Sequence, residues 1–154
     1  KSKILDIGTK KGFFIQAVKE VLPGAKVIGI ENHKFPIDRA NHKIKKYIKF
    51  NEYYNLNKYP KDYFDFVFSF NSIYMQNMGN VIKTIKQIKR VSKNNKSFIS
   101  FGSYNNNLEK KIFIDDWQLV ATTVLHVKEW RYLLKYLNYK GDYFFTTPKV
   151  LNLY

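Results

Sequence analysis

Cysteine is absent from the 154 residues, so disulfides, thiolate-bound zinc and cysteine nucleophiles are all excluded. Arginine is scarce: of 27 basic residues, only Arg39, Arg90 and Arg131 are arginines. Acidic residues number 12, which leaves a formal charge of +15. No apolar run approaches the roughly 20 residues that a membrane-spanning helix needs. No signal peptide is legible either, and a cytoplasmic location is the expectation. No metal-ligand cluster stands out, so no metal is expected. What the chain does have is a 45% apolar content, with 18% aromatic residues. That excludes a disordered chain, and the length suits one domain whose core needs no staples.

The positive charge invites a nucleic-acid reading. Its make-up argues the other way. Base-reading sites favour the bidentate guanidinium of arginine, whereas the cations here are lysines scattered along the chain. Abundant Lys, Asn, Ile, Tyr and Phe together are the bias expected of an AT-rich genome. A solvated lysine surface then follows without a polyanionic partner.

The chain is organised around its first 14 residues. A buried-strand run (Ile4, Leu5, Ile7) carries Asp6 and breaks at Gly8. A loop leads to Gly12 and into a helix with Phe14, Ala17, Val18, Val21 and Leu22 at helical spacing, stopped by Pro23 and Gly24. Val27 to Ile30 is a second strand, ending in Glu31. Strand, helix and strand within about 30 residues make a right-handed βαβ unit. Its first loop sets backbone amides at the carboxyl end of a parallel strand, where open α/β sheets bind ligands.

Further along, Pro36 opens a helix to about Lys46, and a short strand spans Tyr47 to Phe50. Residues 51 to 63 read as a loop, and Phe64 to Phe70 as a fourth strand. Val81, Ile85 and Ile88 stripe a helix whose end is crowded with cations, where the macrodipole favours them. Asn94-Asn95 is its left-handed stop. Ser97 to Phe101 is a fifth strand. Then come a polar loop (103 to 111), a short helix (Phe113 to Leu119) and a strand (Ala121 to Val127). A helix from Glu129 to Leu137, with Trp130, Leu133, Leu134 and Leu137 inward, precedes a closing strand, Tyr143 to Thr147. The expected fold class is α/β: a doubly wound, mostly parallel Rossmann-like sheet of about six to seven strands, with helices on both faces. Residues 1 to 154 are expected to form a single domain. Because the chain begins at Lys1, directly before a strand, an amino-terminal segment is expected to be missing.

Three nucleotide loops compete for the opening stretch. The dinucleotide fingerprint wants glycines at positions 8, 10 and 13, and only Gly8 is there. A P-loop wants Gly-Lys-Ser/Thr after four intervening residues, which is absent. The third pattern, an acid followed by Gly-x-Gly-x-Gly, is approximated by Asp6-Ile-Gly8-Thr-Lys10-Lys-Gly12. With Glu31 closing the second strand 19 residues after Gly12, the chain resembles the class I S-adenosylmethionine-dependent methyltransferases. Phe64-Asp-Phe-Val and Ile88-Lys-Arg-Val91 are similar to the fourth strand and following helix of many small-molecule members. Trp117-Gln-Leu, Glu129-Trp130 and Tyr139-Lys-Gly141-Asp142-Tyr143 are similar to a bacterial subgroup with no assigned substrate.

The resemblance implies S-adenosyl-L-methionine as cofactor. It implies that the backbone at Gly8 and Gly12 approaches its methionine part, that both ribose hydroxyls donate to the Glu31 carboxylate, and that Asp6, Thr9, Lys10 and Asn32 belong to the same cofactor-binding set. Asn51 and Glu52 then face the adenine, and Ser69, Phe70 and Asn71 the methyl-donor side. Asp6 equally suits a cap for loop amides, Glu31 a solvated strand end, and Asn71 a turn. Lys10 departs from the pattern, standing at the middle glycine. Its side chain either points to solvent or pairs with the cofactor carboxylate, or its Cβ crowds the cofactor and leaves a non-catalytic binding protein.

In-line methyl transfer asks mainly that an acceptor lone pair be held about 3 Å from the methyl carbon. A general base helps only a protonated acceptor, and Tyr74 and His126 are the nominees. Tyr74, Trp117 and His126 are equally suited to core or surface roles. The acceptor expected is a small molecule. Cytosine C5 methylation is excluded by the missing cysteine. Amino-group methylation of nucleic acids lacks its two prolines at Asn71-Ser-Ile-Tyr74. Lys-Asp-Lys-Glu ribose methylation lacks an Asp at Asn71. Other RNA methylation is the runner-up.

Overall fold

The computed structural model describes residues 1–117 and 120–154. Six strands form one sheet in the order β3-β2-β1-β4-β5-β6, and every neighbouring pair is parallel. They are β1 (Lys3–Ile7), β2 (Lys26–Glu31), β3 (Ile48–Phe50), β4 (Phe66–Ser69), β5 (Ser97–Gly102) and β6 (Asp142–Thr146). The helices are α1 (Phe13–Val21), α2 (Lys34–Asp38), α3 (His42–Lys45), α4 (Met78–Val91), α5 (Asn107–Ile112) and α6 (Val127–Tyr136). Strand order reverses between β1 and β4, so a crevice opens beyond the carboxyl ends of these two strands.

Side chains alternate between the faces of the sheet. Leu5, Ile7, Val67, Ile99 and Phe101 share the larger core with Val81, Ile85 and Ile88 of α4 and with Trp130 and Leu134 of α6. Trp130 is fully buried, its ring 4.4 Å from that of Phe101. On the other face Ile4 and Val27 meet Ile15 and Val18 of α1, Ile37 of α2 and Ile44 of α3. Further across that face Phe68 stacks on Phe14 at 4.1 Å and on Phe98 at 5.7 Å. Phe70 and Phe144 there stay 53% and 47% exposed. No helix of the described residues is long and apolar enough to cross a membrane.

The sheet and its central helices agree with the sequence reading, as do the left-handed Asn94 and Asn95 (φ 53° and 57°). Four segments differ. The helix expected from Pro36 to Lys46 is two short ones, because Asn41 Oδ1 accepts from the Lys43 N–H at 2.9 Å and caps a new start. On α1 the buried positions are Ile15 and Val18, whereas Val21 and Leu22 are exposed at the helix end. The polar stretch 103 to 111 contains α5, started by Asn106, whose Oδ1 accepts from the Glu109 N–H at 2.9 Å. The chain then continues through a wider π-turn, Phe113–Trp117. The remainder of the expected helix, Gln118 and Leu119, lies outside the described residues.

The β-branched run from Ala121 to Val127 is no strand. Its hydrogen bonds go instead to the connections after β4 and β5: Thr123 N–H donates to Tyr74 O and its hydroxyl to Gln76 O, Leu125 O accepts from Ser103 Oγ, and Val127 N–H donates to Tyr104 O. Among the described residues of that run, His126 alone forms a bridge, with Tyr104.

Candidate functional site

The site grows from the end of β1. Gly8 lies where β1 and β4 diverge, with φ +74°. A Cβ there would overlap the side chain of Ser72, whose Oγ donates to Gly8 O at 3.1 Å. Gly12 has φ +81°, and a Cβ would come within 2.6 Å of Ile44 Cγ2. Both positions therefore need glycine, for conformation and for space. Lys10, between them, is also left-handed, with φ 53°. A residue with a Cβ tolerates that region at a cost of about 1–2 kcal/mol. The loop thus keeps at Lys10 a backbone shape that suits glycine, and turns an exposed cation outward.

Glu31 closes β2 and faces this loop. It is 1% exposed, and its carboxylate is held by four donors. Oε2 accepts from Lys10 N–H at 2.8 Å. Oε1 accepts from the N–H groups of Asn32 and His33, both at 3.0 Å, and from the Tyr53 hydroxyl at 3.1 Å. Tyr53 comes from the loop after β3, and burial, then the Glu31 charge, push its pKa up, so it stays a donor. A cleft of about 720 Å³ opens beside Glu31, with Lys10 and Lys11 as its cations and His33 on its lining. Phe13, Phe35, Tyr53, Met75 and Val120 supply most of its apolar wall.

A second cleft of about 360 Å³ lies on the other side of Lys10 and Phe13, which line both. Its walls are Phe14, Phe68 and Phe70, and Asp6, Gly8 and Thr9 close it. Asp6 is 3% exposed. Burial pushes its pKa up to about 7; the Glu31 charge adds to the rise, and the nearby Thr9 hydroxyl and Lys10 charge oppose it. The Thr9 hydroxyl is buried without a partner. A buried acid, an unpartnered hydroxyl and aromatic walls form a receptor for a positively charged group.

The other residues singled out in the sequence stand as follows. Asn51 is spent on its own turn: Oδ1 accepts from Glu52 N–H and Asn55 Nδ2, and Nδ2 donates to Asn55 O. Glu52 is exposed, and neither residue lines the larger cleft. Asn32 reaches Glu31 through its backbone, and its own Oδ1 is buried without a partner. Ser69 is fully buried with an unpartnered hydroxyl. Asn71 is left-handed (φ 45°) and tied to neighbouring strands: its Oδ1 accepts from Ser100 Oγ at 3.0 Å and from Thr146 Oγ1 at 3.3 Å.

Tyr74 is wholly buried, its pKa raised by burial, and packs against Gly102 and Phe113. Trp117 packs edge-on against Phe113 at 5.1 Å. His126 caps α6: Nδ1 accepts from Lys128 N–H at 2.9 Å, which leaves Nε2 to donate to Asn105 O at 2.8 Å. Neither Tyr74 nor His126 lines a cleft with Glu31 or Asp6. Sequence reasoning missed Tyr53, Lys11, Phe35, Met75 and Val120. Lys11 sits inside the loop at an unspecified position of the motif, whereas tertiary packing alone brings the other four to the site and no motif marks them.

A glycine loop and a strand-end acid, set at the reversal of an open parallel sheet, define a nucleotide-binding class of α/β protein. More narrowly, the chain belongs to the methyltransferase-domain family, which matches residues 1–141. No curated protein matches it. Among solved structures it is similar to a methyltransferase of Haloferax volcanii in complex with its activator: TM-score 0.68, 16% identity, covering 88% of this chain and 60% of that one. It is also similar to a SAM-dependent methyltransferase of Archaeoglobus fulgidus (0.66, 18%, 88% and 60%). A third is the phosphoethanolamine N-methyltransferase 2 of Haemonchus contortus, solved with phosphomonomethylethanolamine and S-adenosylhomocysteine (0.69, 17%, 88% and 32%). The chain therefore spans less than two thirds of the length of these relatives.

Proposed function

We propose that the protein is an S-adenosylmethionine-dependent methyltransferase acting on a small-molecule acceptor in the cytoplasm, with residues 1–154 as a single domain. The observation that carries this reading is the buried Glu31 carboxylate, held against the Gly8–Gly12 loop beside a 720 Å³ cleft. Clefts of this size suit a nucleoside together with a second small molecule. Oε2 has an open lone pair for a ribose hydroxyl. Asp6, Gly8, Thr9, Lys10 and Gly12 would hold the methionine part, with Asp6 beside its positive charge and Lys10 free to meet its carboxylate. Asn51 and Glu52 are assigned to the adenine side, and Ser69 and Asn71 to the methyl-donor side.

When bound, the cofactor supplies a methyl group on a cationic sulfur. The chain's part is to exclude water and to align the acceptor with that group. Asn71 is fixed for such a task by Ser100 and Thr146. The surroundings of Tyr74 and His126 favour core and capping roles over proton transfer, so the reading rests on positioning rather than on a base.

Calorimetry with S-adenosylmethionine and S-adenosylhomocysteine tests it. Micromolar binding that is lost in Glu31→Ala is the expected outcome; no heat with either ligand at millimolar concentration overturns the enzyme reading. One observation favours RNA as a second reading. Arg39 lies 3.7 Å over the Phe35 ring and Lys34 5.4 Å over that of Phe50, and both rings are more than half exposed. Such pairs can stack a base. Affinity for a single-stranded RNA that persists above physiological salt would favour it, whereas binding lost steeply with salt leaves the lysines as a solvated surface.

A further inference from the structure

The larger cleft has two unlike parts. Glu31 and Tyr53 on its lining are polar, buried and bonded to one another. Phe13, Phe35 and Val120 are apolar and open, 72%, 65% and 69% exposed. Large apolar side chains scattered singly over a surface are ordinary. Three that line one concavity together with Met75 are the mark of a ligand groove. They come from four segments of the chain: the start of α1, α2, the connection after β4, and the residues before α6. The cofactor brings one apolar ring, its adenine, which leaves apolar wall for a second body.

The lining also has a sign. Lys10 and Lys11 are both exposed, and neither ammonium meets a hydrogen-bond acceptor or an acid among the described residues. Arg39 adds a third cation, 3.7 Å over the Phe35 ring. Among the described lining residues the one acid is Glu31, whose carboxylate already accepts four hydrogen bonds. Apolar walls focus the field of such cations and draw in an ion of opposite charge. The cofactor has a single carboxylate, which Lys10 can meet, so Lys11 is left over. The second cleft is the reverse case, aromatic and closed by the acid Asp6.

We infer that the methyl acceptor is a hydrophobic anion, an aromatic or acyl body that ends in a carboxylate or a comparable acidic group. The exposed apolar wall of the larger cleft takes the body, and Lys11 takes the charge. An amine acceptor would meet like charge there. This rests on the cofactor reading given above and names the class of molecule that shares the cleft.

The experiment is calorimetry near physiological salt, with the protein saturated by S-adenosylhomocysteine. The probes are phenylpropionate, phenylpropanol, phenylpropylamine and acetate: one body with three charges, and the charge without the body. The acid should bind about fivefold more tightly than the alcohol. The amine and acetate should bind more weakly than either. Lys11→Gln should bring the acid down to the alcohol, and Phe35→Ser should weaken acid and alcohol in step. Both side chains are exposed, so neither change threatens the fold. An acid no tighter than the alcohol, an amine that binds best, or an acetate equal to the acid overturns the inference. So does a Lys11→Gln variant that keeps the preference for acid, a Phe35→Ser variant that binds as wild type, or a probe displaced by S-adenosylhomocysteine. Failure to bind S-adenosylhomocysteine itself overturns the cofactor reading, and this inference with it, before any probe is added.

Discussion

Two residues at the opening of the site, Lys10 in the loop and Asp6 in β1, carry different kinds of strain. Lys10 is strained by its backbone, with a Cβ in the left-handed region. Lys10→Gly should therefore raise stability by about 1 kcal/mol in urea unfolding, the left-handed penalty less the extra freedom of glycine in the unfolded chain. An unchanged or lowered midpoint would show that the lysine stem compensates through contacts. Asp6 is strained by its charge. Its pKa in the folded protein is raised to about 7, chiefly by burial, against about 4 when unfolded. The folded state thus holds the proton more tightly, and the stability this gives is present below pH 4 and is lost as pH rises towards 7. Asp6→Asn, neutral throughout, should exceed wild type by roughly 2–4 kcal/mol at pH 8 and match it at pH 4. A difference independent of pH would mean that the carboxyl is not buried as described. A cationic ligand beside Asp6 should also release a proton on binding near pH 7, measurable by calorimetry in buffers of different ionisation heat.

The elements stand or fall on their ends. Helix α6 starts with a reciprocal box in which His126 Nδ1 accepts from Lys128 N–H and Glu129 Oε2 accepts from His126 N–H at 2.7 Å. His126→Ala should cost about 1 kcal/mol in thermal or urea unfolding. If methyl transfer is established, its rate should survive the change; a collapse of the rate with stability intact would return His126 to the chemistry. The strands and long helices were legible because their apolar period was strong, as in Leu5-Asp-Ile7 and Val81, Ile85 and Ile88. Glu31 was legible because strand ends in this topology face the crevice. Tyr53 was not, because a lone aromatic in the polar loop 51 to 63 carries no period. Ala121 to Val127 misled because β-branched side chains there serve a packed loop bonded to Tyr74 and Gln76. Short polar caps such as Asn41 and Asn106 split or started helices where the apolar pattern gave no sign.

At the scale of the whole molecule, net charge and surface apolarity oppose one another. The charge of +15 keeps copies apart. The phenylalanines beyond β4, with Phe70 and Phe144 half exposed, favour association. Salt screens the first and not the second. Light scattering should therefore show self-association growing as salt is raised, and Phe70→Ser with Phe144→Ser should suppress it. Scattering that is independent of salt, or unaffected by the double change, would refute this balance.

The contact of Gly8 with Ser72 has a consequence for how the chain reaches this state. The two residues lie 64 positions apart, yet the clasp between them is where the crevice begins. The first half of the βα series carries most of the larger cleft, and Met75, Val120 and Thr122 of the second complete its wall. A long segment must close before β1 and β4 can pair, a slow step in parallel sheets. Until that step is complete the clefts lack part of their walls, and afterwards a bound ligand draws the equilibrium towards the closed form by mass action. Cofactor affinity in this molecule is therefore also a measure of whether its two halves have met.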